Sequence, residues 1–507
     1  MKKIILTSLI VCLAGTMSAQ NFNFQMGEKA NKKAYESSMI RMAEGVQEGQ
    51  LLVVEPELKP VAVGGYSANS VKAVKVRLCD MEWNDTKSIT LDNTKKCRIN
   101  EVFRTDNRFN ILVSNDLNKK LTVRHVVMDA QNLDIVSDNL LAEVPLQKGD
   151  ETLVWAVSSP NGQYHGVVYG VWGKKDYRKV VAMLFDQNMN KLWERRLAYS
   201  DVLDVIVTDD GTIATMRMGM VENNKDITAF RVNVANADGE KHGEFILDAD
   251  VSEVALLGCE NDKVVAVALE GKGGYGLLRI GVLGNRQYTG IWGLVFDLNE
   301  QNITVGNRHP FTDEEIRTFC NDSKGETYSK REIYFLRKVD QCLTPQGGAV
   351  LYQHAWHEET RNMKTGMTMS ETVHSKGILL VQANMQGELT INGIPQNNQN
   401  ASWPKVGADV FVHDGKVFVV TNESKEESDE YTPELPAKRS KSLIMANSAL
   451  AVYWFTPDGQ GAKKMLEKEN KTILCTPLYA GSGDRFYFLA MSSIYPHICT
   501  VTLPSNQ

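Results

Sequence analysis

From about residue 99 onward the chain is almost entirely short strands and turns, and the strands come in fours. The clearest unit is "LVWAVSSPNGQYHGVVYGVWGKKDYRKVVAMLFDQNMNKLWERRL". Its β-branched and aromatic runs, Leu153–Val157, His165–Trp172, Lys179–Phe185 and Lys191–Leu197, have ordinary strand lengths. Between them lie Ser-Pro-Asn-Gly, Gly-Lys-Lys-Asp and Asp-Gln-Asn-Met-Asn. Gly and Asn accept positive φ and Pro fixes its own, so these residues read as turns. The plan recurs downstream at a period of roughly 50–65 residues, the range of repeat architectures. Upstream, "CRINEVF", "RFNILVS", "LTVRHVVM" and "NLDIVSD" form another set, and the tail "TILCTPLY", "RFYFLAM", "HICTVTL" supplies three strands.

Meanders of four strands in series are the blades of a β-propeller, in which radial repetition leaves only short, protected sheet edges. Six full units and a three-stranded one predict an all-β propeller of seven blades, with six or eight as alternatives. The last unit needs a closing strand, for which "VKAVKVRL", Val71–Leu78, is the candidate. A pair of β-sandwiches is the rival fold. Outside the ring, Gly27–Gly49 reads as a short N-terminal helix, with Ala30, Ala34, Ile40, Ala43 and Val46 partly tracking one face. Asn422–Ser442 is a polar, proline-broken insertion that reads as a mobile loop or a lid. The expected organisation is a signal peptide over 1–19, a helix and linker over 20–70, and the propeller over 71–507.

The signal reading rests on "MKKIILTSLIVCLAGTMSAQ". Lys2 and Lys3 are followed by an apolar run too short to span a bilayer and by small residues at Ser18-Ala19. Cleavage would leave Gln20 first. Val11 before Cys12 does not suit a lipobox. No later segment reaches 18 consecutive apolar residues, so the mature chain is expected to be soluble or peripherally attached. A net charge of −6 lacks the basic footprint of a nucleic-acid binder. Without Cys12, seven cysteines remain of the eight. In an exported chain, neighbouring positions suggest bridges Cys79–Cys97 and Cys320–Cys342, with Cys259 alone. Cys475 and Cys499 would lie on strands separated by a third, about 10 Å apart and beyond the reach of a disulfide.

The pattern "LFDQNMNKLWE…DVIVTDDGTI", with "GKVFVVTNES" and "ALAVYWFTPDG", resembles a group of secreted propeller-like proteins of Bacteroidota, as does the signal ending "SAQ". The resemblance implies a propeller fold and export. It carries over no catalytic residue. A weaker resemblance runs to pyrroloquinoline-quinone propellers, whose blades carry an Asp, a Gly-containing turn and a Trp. Asp186 and Trp193 match, Met189-Asn190 stands where the Gly would be, and only one good copy exists. Asp186 and Trp193 are therefore read as structural, and no cofactor is expected.

Other polar motifs are weighed in the same way. Gly271-x-Gly273-x-x-Gly276, with Asp297 beyond, matches a dinucleotide fingerprint on paper. Gly281 and Gly284 follow where a helix is required, so a blade turn is the better reading. His354, His357 and His374, with Glu358, Glu359, Met363, Met367 and Met369 between them, form the one candidate metal site, for copper or zinc. Met216, Met218 and Met220 share one strand face and read as core. The acidic run Glu423, Glu426, Glu427, Asp429, Glu430 lacks the order of a calcium loop. No Gly-x-Ser-x-Gly occurs, and no spacing selects a carboxylate pair, so the catalytic residues stay unassigned. The expected function is an exported binding or scaffold protein. It would use one ring face and the 357–372 and 422–446 loops to hold an envelope protein or glycan, in the periplasm or at the cell surface. The alternative is a hydrolase or lyase acting on glycans or peptides in the central funnel.

Overall fold

The computed structural model describes residues 22–27, 40–58, 71–91, 94–173, 177–199, 202–221, 224–272, 287–313, 315–316, 333–334, 336–361, 368–401, 407–424, 428–432, 448–467, 473–480, 484–492 and 495–503. The strands form eight antiparallel sheets, seven of them built on four strands in series and the eighth on three in series plus the N-terminal strand. Blade 1 is Arg41–Glu44, Leu51–Leu58, Val71–Cys79 and Asp85–Leu91. Blade 2 is Arg98–Thr105, Arg108–Asn115, Lys120–Asp129 and Ile135–Pro145. Blade 3 is Glu151–Ser158, Tyr164–Trp172, Tyr177–Asp186 and Lys191–Arg196. Blade 4 is Asp204–Val207, Ile213–Val221, Asn224–Ala235 and Glu240–Leu247. Blade 5 is Val251–Glu260, Lys263–Lys272, Gln287–Asp297 and Asn302–Pro310, with Ile333–Tyr334 added beside its third strand. Blade 6 is Leu336–Thr344, Gly347–Arg361, Thr368–Asn384 and Leu389–Ala401. Blade 7 is Ala408–His413, Lys416–Ser424, Ser448–Phe455 and Gly461–Glu467. Blade 8 is Ile473–Ala480, Arg485–Ser492 and Tyr495–Thr502, completed by Asn23–Met26 from the N-terminus. The first strand of each blade touches the first strand of the next, from blade 1 round to blade 8 and back, so the ring is closed.

The core is divided among the joints between blades: eight apolar clusters, one per joint. A blade buries both faces, so its middle strands read as unbroken apolar runs and side chains alternate between two joints. In "VVAVAL" of blade 5, Val264, Ala266 and Ala268 pack toward blade 4, whereas Val265, Val267 and Leu269 pack toward blade 6. All six are fully buried. Fourth strands are half solvated and alternate accordingly, as His242–Leu247 does within Glu240–Leu247.

Seven of the blades turn from third to fourth strand through one device. Asp80, Asp129, Asp186, Asn236, Asp297, Asn384 and Thr456 each accept hydrogen bonds from backbone N–H groups of the turn that follows. At Asp186, Oδ1 accepts from Asn188 N at 2.9 Å and Asn190 N at 2.8 Å. Burial raises its pKa, but these bonds and one from the Asn190 side chain outweigh it and hold the carboxyl below its usual range. Four of these turns take positive φ three residues on, at Trp83, Met189, Gly387 and Gly459. Met189 at φ 63° thus occupies the position that glycine fills in blades 6 and 7. Asp186→Ala is expected to lower stability by about 1 kcal/mol, read by urea unfolding, because two turn N–H groups lose their acceptor; an unchanged midpoint would remove the turn from the account.

Those turns also staple neighbouring blades. The fourth strand of one blade reaches the turn of the next: Arg195 donates to the Asn236 and Ala237 carbonyls, Lys241 to Asn299 Oδ1, and Asn392 to the Gly459 carbonyl. At Gly306 the approach is so close that a Cβ would lie 2.2 Å from the Gln386 carbonyl oxygen. Gly306→Ala is expected to cost more than about 2 kcal/mol in the same assay, since backbone must move to admit the methyl; wild-type stability would contradict the packing described for blades 5 and 6.

The ring has eight blades, one of the counts allowed beside the favoured seven, because residues 41–91 form a complete blade of their own. Three sequence expectations are corrected. The N-terminal helix is not seen: Arg41–Glu44 is the first strand of that blade and Gly27 follows the closing strand, while residues 28–39 lie outside the described residues. Ala43 packs in the joint of blades 1 and 2, so the spacing that tracked a helix face serves a strand. Val71–Cys79 is the third strand of blade 1, and the closing strand is Asn23–Met26. Cys79 and Cys97 are not bridged. Cys79 packs in the joint with blade 8 and Cys97 in the joint with blade 2, on opposite faces of blade 1.

Candidate functional site

In a four-stranded antiparallel meander, the first-to-second and third-to-fourth turns lie at one end. The second-to-third turns and the connection to the next blade lie at the other. Each ring face therefore collects one kind of connection. The first face carries short turns, such as 106–107, 159–163, 261–262 and 414–415 from first to second strands, and 187–190 and 385–388 from third to fourth. The opposite face carries 59–70 in blade 1, 273–286 in blade 5, 311–335 between blades 5 and 6, and 425–447 in blade 7. Blade 6 adds a hairpin there. Its second and third strands stay paired out to Arg361 and Thr368, beyond the first strand, which ends its pairing at Leu336 opposite His354. Asn23 pairs with Thr502 at the tight-turn end, so both ends of the described chain lie on the face away from the long connections.

The 357–372 segment, expected as a loop, is strand on both sides, with 362–367 outside the described residues. The 422–446 segment is also only partly loop. Asn422–Ser424 belong to the second strand and are buried. Residues 428–432 are docked on the outer wall between blades 6 and 7: Asp429 accepts from Lys464 Nζ at 2.7 Å and Met465 N at 2.8 Å, and Tyr431 Oη donates to the Gly393 carbonyl at 2.8 Å. Glu423 is not a solvated acid. Its Oε2 accepts from Tyr453 Oη at 2.5 Å beside Lys463, inside blade 7.

His354 is buried on the second strand of blade 6, opposite Gly377. His357 pairs with Val373 and His374 with Trp356, and the side chains of both fall outside the described residues. No group of three or more metal-ligating side chains occurs among the described residues. Cys342 is an unbridged thiol in the joint of blades 6 and 7, and Cys320 lies outside the described residues. Trp193 packs in the joint of blades 3 and 4 among Val168, Leu184, Val205 and Ile213. Met216 and Met218 pack in the joint of blades 4 and 5. Gly271 pairs with Tyr288 across an antiparallel hairpin, so the glycine-rich segment joins two strands of one blade and opens no dinucleotide-binding crossover. Cys475 and Cys499 lie on strands separated by Arg485–Ser492.

Two polar groups escape the sequence reading. Asp204, the first residue of blade 4, is almost enclosed. Its Oδ2 accepts from Leu256 N at 2.8 Å, and its Oδ1 receives Gln341 Nε2 and Lys338 Nζ, both at 3.2 Å. Leu256 is in blade 5 and the other two are in blade 6, so one carboxylate ties the first strands of three blades. Bulges at Glu253 and Val339 let these strands approach. The second group spans blades 2 and 3. Ser158 Oγ hydrogen-bonds Glu101 Oε1 and lies 2.8 Å from His165 Nδ1, while Phe103 stacks on the His165 ring at 3.8 Å. Glu101 follows a bulge at Asn100. Burial pushes its carboxyl up to about 7, and burial, then the neighbouring His125, pushes His165 down to about 4. These side chains face the joint between the blades and not the tunnel, since Phe103 belongs to that joint's apolar cluster.

The fold and this asymmetry of faces define the class: an eight-bladed, all-β propeller closed by its N-terminal strand. Neither a protein-family model nor a curated protein matches the chain. Many solved structures do. The β-propeller domain of the trilobed protease from Pyrococcus furiosus is 11% identical, over 80% of this chain and 92% of that one, with a TM-score of 0.32. Lignostilbene dioxygenase from Pseudomonas brassicacearum is 11% identical, over 91% and 93%, with a TM-score of 0.37. Cobalt-substituted apocarotenoid oxygenase from Synechocystis is 9% identical, over 96% and 94%, with a TM-score of 0.36. Likeness at this level carries no functional argument.

Proposed function

We propose that the chain is an exported binding protein of the cell envelope that holds a protein or glycan partner on the face bearing its long connections. One observation carries the reading: the long connections all leave the ring on that face, and the extended blade 6 hairpin points the same way. Function concentrates on loops held by a rigid scaffold, and tight turns offer little surface to adapt to a partner. Both ends of the described chain lie on the opposite face. A hydrolase in the funnel would need ionisable groups converging on the tunnel. Glu101 and His165 turn into a joint, and Asp204 is taken up by Leu256, Gln341 and Lys338, which favours binding.

Replacing residues 433–447 with a short Gly-Ser linker tests this. The stretch 428–432 that docks on the wall is left intact. The variant is expected to melt like the wild type and to lose at least about tenfold in affinity for the partner captured from native envelopes, a loss of about 1.4 kcal/mol. Unchanged capture, together with unchanged capture after shortening 362–367, would overturn the reading.

A further inference from the structure

We propose that Glu101, Ser158 and His165 form a proton relay across the joint of blades 2 and 3, which is tight while Glu101 carries a proton and loosens when the proton leaves. Glu101 Oε1 is bonded to Ser158, while Oε2 is buried with no hydrogen-bond partner among the described residues. A dry, unpartnered oxygen suits a neutral carboxylic acid and penalises a carboxylate. The chain Glu101–Ser158–His165 can be ordered in two directions. In the first, the Glu101 acid donates to Ser158 Oγ, the hydroxyl donates to His165 Nδ1, and the ring carries its proton on Nε2. In the second, the hydroxyl donates to the Glu101 carboxylate and His165 Nδ1–H donates to the hydroxyl. The first arrangement holds three protons and the second two, so losing one proton from the assembly moves the imidazole from one neutral tautomer to the other.

The surrounding charges do not compensate the carboxylate. Arg98 on the same strand donates to the Thr152 carbonyl, and Arg104 to the Gly45 carbonyl. His125, on the third strand of blade 2, has Nε2 2.9 Å from Asn110 Oδ1, and burial pushes it down to about 4, so it is neutral at pH 7. Asp138 pairs with Arg124. Asp186, across blade 3, acts on His165 and adds negative charge. No cation therefore meets Glu101 among these neighbours.

The sign follows from linkage. A free glutamate titrates near 4.3 and Glu101 near 7, so the closed joint holds a proton that the opened one has released. The stabilisation is complete below about pH 4 and is lost as pH rises through 7. Between pH 6 and pH 8 the local opening equilibrium should rise about tenfold.

The test uses the mature chain. Carboxyl-carbon NMR on protein labelled at glutamate should show one resonance titrating near pH 7, absent in Glu101→Gln. In Ser158→Ala that resonance should move higher still, because the one hydrogen bond that favours the charged form is gone. Hydrogen exchange, corrected for intrinsic rate, should rise about tenfold from pH 6 to 8 in Arg98–Thr105 and Glu151–Ser158, relative to Val251–Glu260 in blade 5. Glu101→Gln should flatten that rise. If every glutamate titrates below about pH 5.5 in the wild type, or exchange rises equally in all blades, the relay is wrong. The wild-type spectra decide this even if neither variant folds.

Discussion

Deleting residues 22–27 should destabilise the ring by roughly 3–6 kcal/mol, the largest effect expected of any short deletion here. The strand Asn23–Met26 is the fourth strand of blade 8, paired from Asn23 opposite Thr502 to Met26 opposite Cys499. Phe22 lies against Trp454 of blade 7 at 5.1 Å, and Phe24 stacks on Phe488 at 6.3 Å. Without these rings the joint of blades 7 and 8 loses its outer cover, and Tyr495–Thr502 becomes an edge strand. The strand also joins the two ends of the chain, so its pairing is the most non-local contact in the fold and is completed only when the C-terminal strand is available. Thermal unfolding of the truncated chain should show a lowered midpoint. A synthetic peptide spanning residues 20–27 should restore much of it in trans. A truncated chain as stable as the intact one would mean that the ring is closed by the joint of blades 8 and 1 alone.

Asp204→Ala should cost about 3–5 kcal/mol, because it breaks a nearly buried ion pair from one side only. The Asp204 side chain is 9% exposed and that of Lys338 25%. Truncation takes the counter-charge from the Lys338 ammonium, which keeps only its 2.9 Å bond to the neutral Gln341 Oε1 among the described residues, and leaves Leu256 N without its acceptor. Asp204→Asn should cost less, about 1–2 kcal/mol, since an amide oxygen still accepts from Leu256 N. Adding Lys338→Met to Asp204→Ala should recover part of the loss by removing the stranded charge, a non-additivity that a double-mutant cycle measures directly. Purely additive effects would show that Asp204 and Lys338 are neighbours without being partners.

Much of the fold is legible from periodicity. The runs "VVAVAL" and "VFVVTN" announce strands buried on both faces, and the Asp, Asn or Thr that leads the turn after the third strand in seven blades announces the hairpins. Blade 1 hides because its signals conflict. Its first strand is four residues long, the sequence leading into it carries alanines at helical spacing, and its second strand carries Pro56, a residue that counts against an interior strand yet pairs here opposite Val74. The cysteine pairing fails for a reason that sequence distance cannot express. Cys79 and Cys97 are 18 positions apart yet point to opposite faces of one blade. The buried polar groups are harder still. Glu101 and Ser158 look like ordinary polar residues at strand positions, and Asp204 opens a strand where an aspartate is unremarkable. Only the ring brings Lys338 to Asp204 and Glu101 to His165. A sequence signal did exist: Ser158 and His165 border apolar runs in a blade whose faces are both covered, where a polar side chain must find a partner.

Photo-crosslinking in native envelopes separates the two faces of the ring. A photoreactive amino acid would replace Lys119, Lys148 or Asp248, exposed on the long-connection face, or Asp106, Asp209 or Asp414, exposed in tight turns on the other. Adducts to a common partner are expected from the first three positions and none from the last three. Adducts confined to the tight-turn face, or no adduct from either face, would contradict binding on the long-connection face.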